Sequence, residues 1–145
     1  IKYSDKDLLQ KYSNNLNGNK LYDALEAEGI ENIMLPFDLY YTPYKIIEKE
    51  VDENTKTVVI EFENNSQLKL KEFEQETNIK NLEIEGTFIA SKQIRIQDTD
   101  IYLFESQNNN AKQTFISYQI EMTQYLIVMD DDITAAEEFV TKNRI

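Results

Sequence analysis

Apolar and polar positions along this chain follow two successive rhythms. Through about residue 30 the period is helical. Ser4 can cap a helix that has Asp7 at its third position, and Leu8, Leu9, Tyr12 and Leu16 follow at helical spacing. Asn14, Asn15 and the run Asn17-Gly18-Asn19 break the pattern. A second helix follows, with Leu21, Tyr22 and Leu25 on one face. Gly29 suits the left-handed residue that ends such a helix, and Ile30 the apolar closing contact. Residues 1–30 are expected as a helical hairpin or as one broken helix.

Beyond Pro43 the period becomes two. Tyr44 to Val51 reads as a strand, Asp52-Glu53-Asn54 as a turn, and Val58, Ile60 and Phe62 alternate with Val59, Glu61 and Glu63 in a strand with one wet face. After a turn at Asn64-Asn65, Leu68 and Leu70 alternate with Lys69 and Lys71. The stretch 72–85 is acidic and without clear period, and Gly86 interrupts it. Ile94 and Ile96 mark a strand, Gln97 to Asp100 a turn, and Ile101 to Ser106 the return strand. Asn108 to Asn110 form a loop. Ile116, Tyr118, Ile120 and Met122 share one face, Thr123-Gln124 reads as a tight turn, and Tyr125 to Met129 pairs back. Asp130 to Asp132 lead into a last helix that buries Ile133, Ala136, Phe139 and Val140.

Strands joined by such short turns pair antiparallel, and helices gathered at the chain ends give an α+β fold rather than a wound parallel sheet. The expectation is a single domain over 1–145. Its segment 1–30 is helical, and 31–145 holds an antiparallel sheet of five to seven strands plus the C-terminal helix. The N-terminal helices and the C-terminal helix pack on one face of the sheet.

Composition removes most catalytic options. The chain has 145 residues and no Cys, His or Trp. Disulfides, thiolate nucleophiles, the Ser-His-Asp triad and the common zinc sites all need one of the first two. Carboxylate, Lys, Tyr or divalent-ion chemistry is what remains. With 15 Lys+Arg against 27 Asp+Glu the net charge is −12, and Arg95 and Arg144 are the two arginines. A nucleic-acid surface needs a basic footprint that this balance does not supply, and an anionic membrane would repel the domain. No apolar run reaches the about 18 residues of a bilayer span. The chain opens on Ile1 rather than Met, so any leader or anchor is expected upstream.

The candidate sites are few. Asp130-Asp131-Asp132 with Glu137-Glu138 is the densest acidic cluster, but a calcium loop counted from Asp130 would need Gly at Ala135 and Glu at Thr141. The cluster reads as a solvated helix start. Asp98 and Asp100 could act as paired acids on a glycan, yet they read more simply as a hairpin turn, and Lys92 and Arg95 beside them as scattered surface charge. Gly18, Gly29 and Gly86 cannot build a phosphate-cradling loop. Asn64-Asn65-Ser66 matches the glycosylation triplet, a pattern too common to carry weight. The aromatic lead-in is more informative. Pro36 and Pro43 hold extended backbone, and between and after them stand Phe37, Leu39, Tyr40, Tyr41 and Tyr44. Too many rings stand together for one strand to bury all of them. Those left outside would form a contact patch, and Phe37, Tyr40, Tyr41 and Tyr44 are the candidate partner-binding residues.

From Leu35-Pro36 onward the arrangement resembles a known family. The matching stretches are Thr57 to Phe62, Gln93 to Phe104, and Tyr125 to Met129 running into Ile133 to Glu138. Together they cover about residues 35–142. The chain resembles the extracytoplasmic domain of unknown function found in membrane-anchored lipoproteins and anti-sigma-factor-like regulators of Gram-positive bacteria. That resemblance implies a domain held outside the membrane by an upstream anchor and acting by contact rather than turnover. It brings no catalytic residues. The expected function is thus a non-catalytic extracytoplasmic binding or sensing domain without cofactor or metal. Its partner would be a protein, peptide or apolar ligand at the cell surface, with no nucleic acid. The alternative is a carrier of a lipid or peptide in a sheet-lined pocket, and after it a carboxylate-based enzyme acting on glycans.

Overall fold

A computed structural model describes residues 12–13, 19–75, 84, 87–108 and 110–143. Helix α1 spans Asn19–Ala27, a 3-10 helix Phe37–Tyr41, and helix α2 Ile133–Asn143. The strands are β1 Tyr44–Val51, β2 Thr55–Phe62, β3 Gln67–Phe73, β4 Phe88–Ile96, β5 Thr99–Asn108, β6 Ala111–Ile120 and β7 Thr123–Met129. They form one antiparallel sheet in the order β1-β2-β3-β7-β6-β5-β4. The fold is α+β, as the alternation and the end helices predict.

Register explains which side is buried. Val58 faces Leu70, Leu70 faces Tyr125 and Tyr125 faces Tyr118, while one row on Ile60 faces Leu68, Leu68 faces Ile127 and Ile127 faces Ile116. These rows share one face because side chains alternate with period two. Leu21 and Leu25 of α1, Leu35 and Leu39 of the connecting loop, and Ala136 and Val140 of α2 close the same core. Fully burying each leucine of α1 is worth roughly 2 kcal/mol of hydrophobic transfer. The helices therefore lie on one face, and the opposite face carries no helix among the described residues.

The helix boundaries have local causes. Gly29 sits at φ +84° and Ile30 N–H donates to Leu25 C=O at 3.1 Å, so α1 ends as the glycine predicts. A Cβ on Gly29 would lie 2.4 Å from the Nζ of Lys56, so the missing side chain also makes room for an ammonium at the negative end of the helix. Asp132 starts α2: its carboxylate accepts from Ala135 N–H at 2.8 Å. The buried Glu105 carboxylate accepts from Ile133 N–H at 2.7 Å.

Four expectations need correction. One helix rather than two stands near the N-terminus among the described residues. Ser13, expected in the first helix, instead forms a β-bridge with Tyr44, through backbone bonds of 2.6 and 3.2 Å. Tyr12 beside it is not helical either; its hydroxyl donates to Glu61 at 3.0 Å and its ring lies 4.7 Å from the Lys45 ammonium. Unpaired backbone at the edge of β1 outcompetes the modest helix propensity of this Asn-rich stretch. Ser4, Asp7, Leu8, Leu9, residues 14–18, Gly86 and Arg144 lie outside the described residues, as does most of 76–86. Tyr22, expected on the buried face of α1, is exposed. The last hairpin turns at Glu121-Met122, with Glu121 at φ +51°, because β-branched Thr123 belongs to the strand and pairs with Ile120. The lead-in after Pro36 winds into a 3-10 turn instead of a strand.

Candidate docking loop and the helix-free face

Between Ile30 and Thr42 the chain crosses the core side of β7 and β6, and buried side chains of those strands and β3 hold its backbone. The Tyr118 hydroxyl donates to Met34 C=O at 2.6 Å. The Tyr125 hydroxyl donates to Asn32 C=O and accepts from Met34 N–H at 3.1 Å. The two rings stack, with centroids 4.6 Å apart and planes 8° from parallel. Thr123 donates to Glu31 C=O at 2.8 Å and lies in hydrogen-bond contact with the Glu72 carboxyl, which also accepts from Glu31 N–H at 3.4 Å. Within the loop, the Tyr40 hydroxyl accepts from Leu35 N–H at 3.0 Å and donates to Ile33 C=O at 3.4 Å. A loop with no ladder partner must find such partners when it is buried. Burial pushes the Tyr118 and Tyr125 hydroxyls well above the ordinary tyrosine value and raises Tyr40 too, so all three stay protonated donors at neutral pH.

The anchored loop presents two rings outward. Phe37 is 56% and Tyr41 46% exposed, with centroids 5.1 Å apart. The Thr42 hydroxyl donates to Asp38 C=O at 2.7 Å and Thr42 N–H to Leu39 C=O at 3.3 Å, closing the turn that spaces them. The four residues singled out by sequence thus divide. Tyr40 is half-buried as a loop fastener. Tyr44 is buried, and its hydroxyl donates to Lys20 C=O at 3.3 Å, tying β1 to α1. Met34, also exposed, joins Phe37 and Tyr41 on the same loop. Tyr118, Thr123, Tyr125 and Glu72 were missed as site-building residues. Tyr118 shares the face of Ile116 and Tyr125 opens the returning strand, whereas Thr123 reads as a turn residue and Glu72 as part of the aperiodic acidic stretch; nothing in the sequence says that a loop lies across them.

Most of the acidic and basic candidates have structural partners. Asp132 caps α2, Asp131 accepts from Asp132 N–H at 2.9 Å, and Asp130 accepts from Gln113 at 3.2 Å. Arg95 pairs with Asp100 at 2.9 Å across the β4–β5 hairpin, and Lys92 with Glu137 of α2 at 2.7 Å. Asn64 accepts from Ser66 N–H at 3.0 Å, shaping the β2–β3 turn. Among the described residues no three carboxylates group as a cation site, and no helix is long and apolar enough to cross a membrane.

The helix-free face holds a groove of about 430 Å³ lined by Ile84, Phe88, Tyr102, Phe104, Ser117, Tyr118, Gln119 and the buried Gln124. Phe88 beds against Phe104 at 5.3 Å and Phe115 at 6.0 Å between centroids. Tyr102, 41% exposed, stands between Gln93 and Ser117 in register. Gln124 donates to Gln119 at 3.4 Å and Gln119 to Glu121 C=O at 2.9 Å, so the two amides are oriented by their neighbours. No protein-family model, no curated protein and no solved structure matches this chain.

Proposed function

We propose that this chain is a non-catalytic extracytoplasmic binding or sensing domain, part of a membrane-anchored lipoprotein or regulator of a Gram-positive bacterium. It works by surface contact with a protein or peptide partner at the cell surface. The observation that carries the reading is the exposed Phe37–Tyr41 pair on a loop whose backbone is held by buried hydroxyls. Rigid aromatic anchors give large contact area at small ordering cost, which is what interface hot spots use. The strongly anionic remainder keeps the domain soluble and favours a partner with basic groups around an apolar recess. The resemblance over about residues 35–142 supports the location.

A photo-crosslinking amino acid at Phe37 or Tyr41 of the full-length protein, in intact cells, tests both parts. The expected result is one discrete adduct from either position and none from exposed Val51. Added purified domain should compete the adduct away, and the Phe37→Ser/Tyr41→Ser variant should compete at least about tenfold less well. A product confined to the cytosol, or adducts indifferent to position and competitor, overturns the reading.

A further inference from the structure

The geometry points to a second binding site: the groove on the helix-free face takes a neutral saccharide chain. Its rings and amides lie on the opposite side of the sheet from the docking loop, and Tyr118, which also lines it, is the one residue it shares with the loop's fastenings. The first argument is charge. The chain is 29% charged, yet no lining residue of this groove is charged; Lys71, across the ladder from Gln124, has its ammonium 5.5 Å from the Phe73 ring, and Arg95 and Asp100 on β4 and β5 are paired with each other at 2.9 Å. A site for an anion or cation would carry a counter-charge, so the lining selects a neutral ligand.

The second argument is the mixture of groups. Phe88, Phe104 and Tyr102 offer ring surfaces, and Phe88 is fixed by its packing on Phe104 and Phe115. Ser117, Gln119 and Gln124 contribute a hydroxyl and two oriented amides along the same groove. A pyranose has this same division: a face of C–H bonds that suits the negative face of an aromatic ring, and a rim of hydroxyls that each donate and accept. A fatty chain would offer the Ser117 hydroxyl nothing and cover it at a cost. The groove also opens to solvent, which lets a chain of sugar units lie along it.

The test is a titration of the uniformly ¹⁵N-labelled chain with cellotetraose, with chitotetraose and, separately, with laurate. Binding of a sugar should move the amide signals of Tyr102, Phe104, Ser117 and Gln119. Tyr102→Ala should weaken it about tenfold, while Tyr102→Phe, which keeps the ring, retains most of it. Gln119→Ala serves as a second variant, and thermal melts show that each still folds. The Phe37→Ser/Tyr41→Ser variant should bind the sugar unchanged, which separates this site from the docking loop. Absence of shifts with both sugars at millimolar concentration overturns the assignment. So does a sugar response that both groove variants leave intact, or laurate binding in the groove without sugar binding.

Discussion

Glu72 is a carboxyl placed where water barely reaches, between the Thr123 hydroxyl and the Glu31 backbone. Thr123 has one hydroxyl proton and two acceptors in reach, Glu31 C=O and Glu72. That single proton is shared between the two, so the buried carboxylate is only partly compensated. Burial is the largest influence on Glu72 and raises its pKa above the ordinary glutamate value; the bonds from Thr123 and Glu31 N–H oppose it, the Glu31 carboxylate adds to it, and Lys56 opposes it. Between the ordinary and the raised value, the folded chain therefore binds more protons at this group than the unfolded chain. The stability from this group is complete below the ordinary carboxyl range and is lost as pH rises through the raised value. Glu72→Gln removes that loss. Paired thermal melts from about pH 4 to 8 should show the variant gaining on the wild type as pH rises. A constant difference would contradict the assignment.

At the scale of elements, the docking loop is a backbone segment fastened by side chains from strands far along the chain. Tyr125→Phe keeps the stacked ring and leaves Asn32 C=O and Met34 N–H without their partner. We expect a loss of about 1–3 kcal/mol in urea unfolding, with faster hydrogen exchange at Met34 N–H than at ladder amides of β2 and β3. Legibility of the sequence varied with how local each element's cause is. β2 and β3 are readable because alternation decides their faces, β7 only from Tyr125 onward as an apolar run, and the end of α1 is readable from Gly29. The extended pairing of Ser13 was not, because it depends on the edge of β1, about 30 residues later. The loop fasteners were not either, because a tyrosine at a core position looks the same whether its hydroxyl meets a loop or a neighbouring strand. Val59 reads as wet from its alternation with Ile60, yet it is buried on the helix-free face. Of the four aromatic candidates, Phe37 and Tyr41 point out and Tyr40 in because of the 3-10 turn after Pro36, a geometry that composition does not signal, and Tyr44 is buried as the first residue of β1.

Over the whole molecule, a net charge of −12 means long-range self-repulsion that ion pairs such as Lys49–Glu28 and Lys92–Glu137 only locally relieve. Raising ionic strength from about 0.01 M to 0.15 M shortens the screening length from about 30 to 8 Å. The melting temperature should rise by about 2–4 °C over that range, which differential scanning calorimetry would register. A fall would mean that the surface ion pairs outweigh the repulsion.

The strand order has a mechanical consequence. β1-β2-β3 and β4-β5-β6-β7 are each a run of hairpins closed by neighbours in sequence, and the single ladder between β3 and β7 welds them. Leu68–Ile127 and Leu70–Tyr125 lie along that weld, and the segment from Glu31 to Leu35 is bolted over it through Glu72 on one side and Thr123 and Tyr125 on the other. Each meander can assemble from nearby residues, but the weld needs partners more than fifty positions apart, so its formation is the slow, committing event of folding. The strap that displays Phe37 and Tyr41 is then fully seated only once both halves have met, and the display surface doubles as a seal that the molecule has been put together correctly.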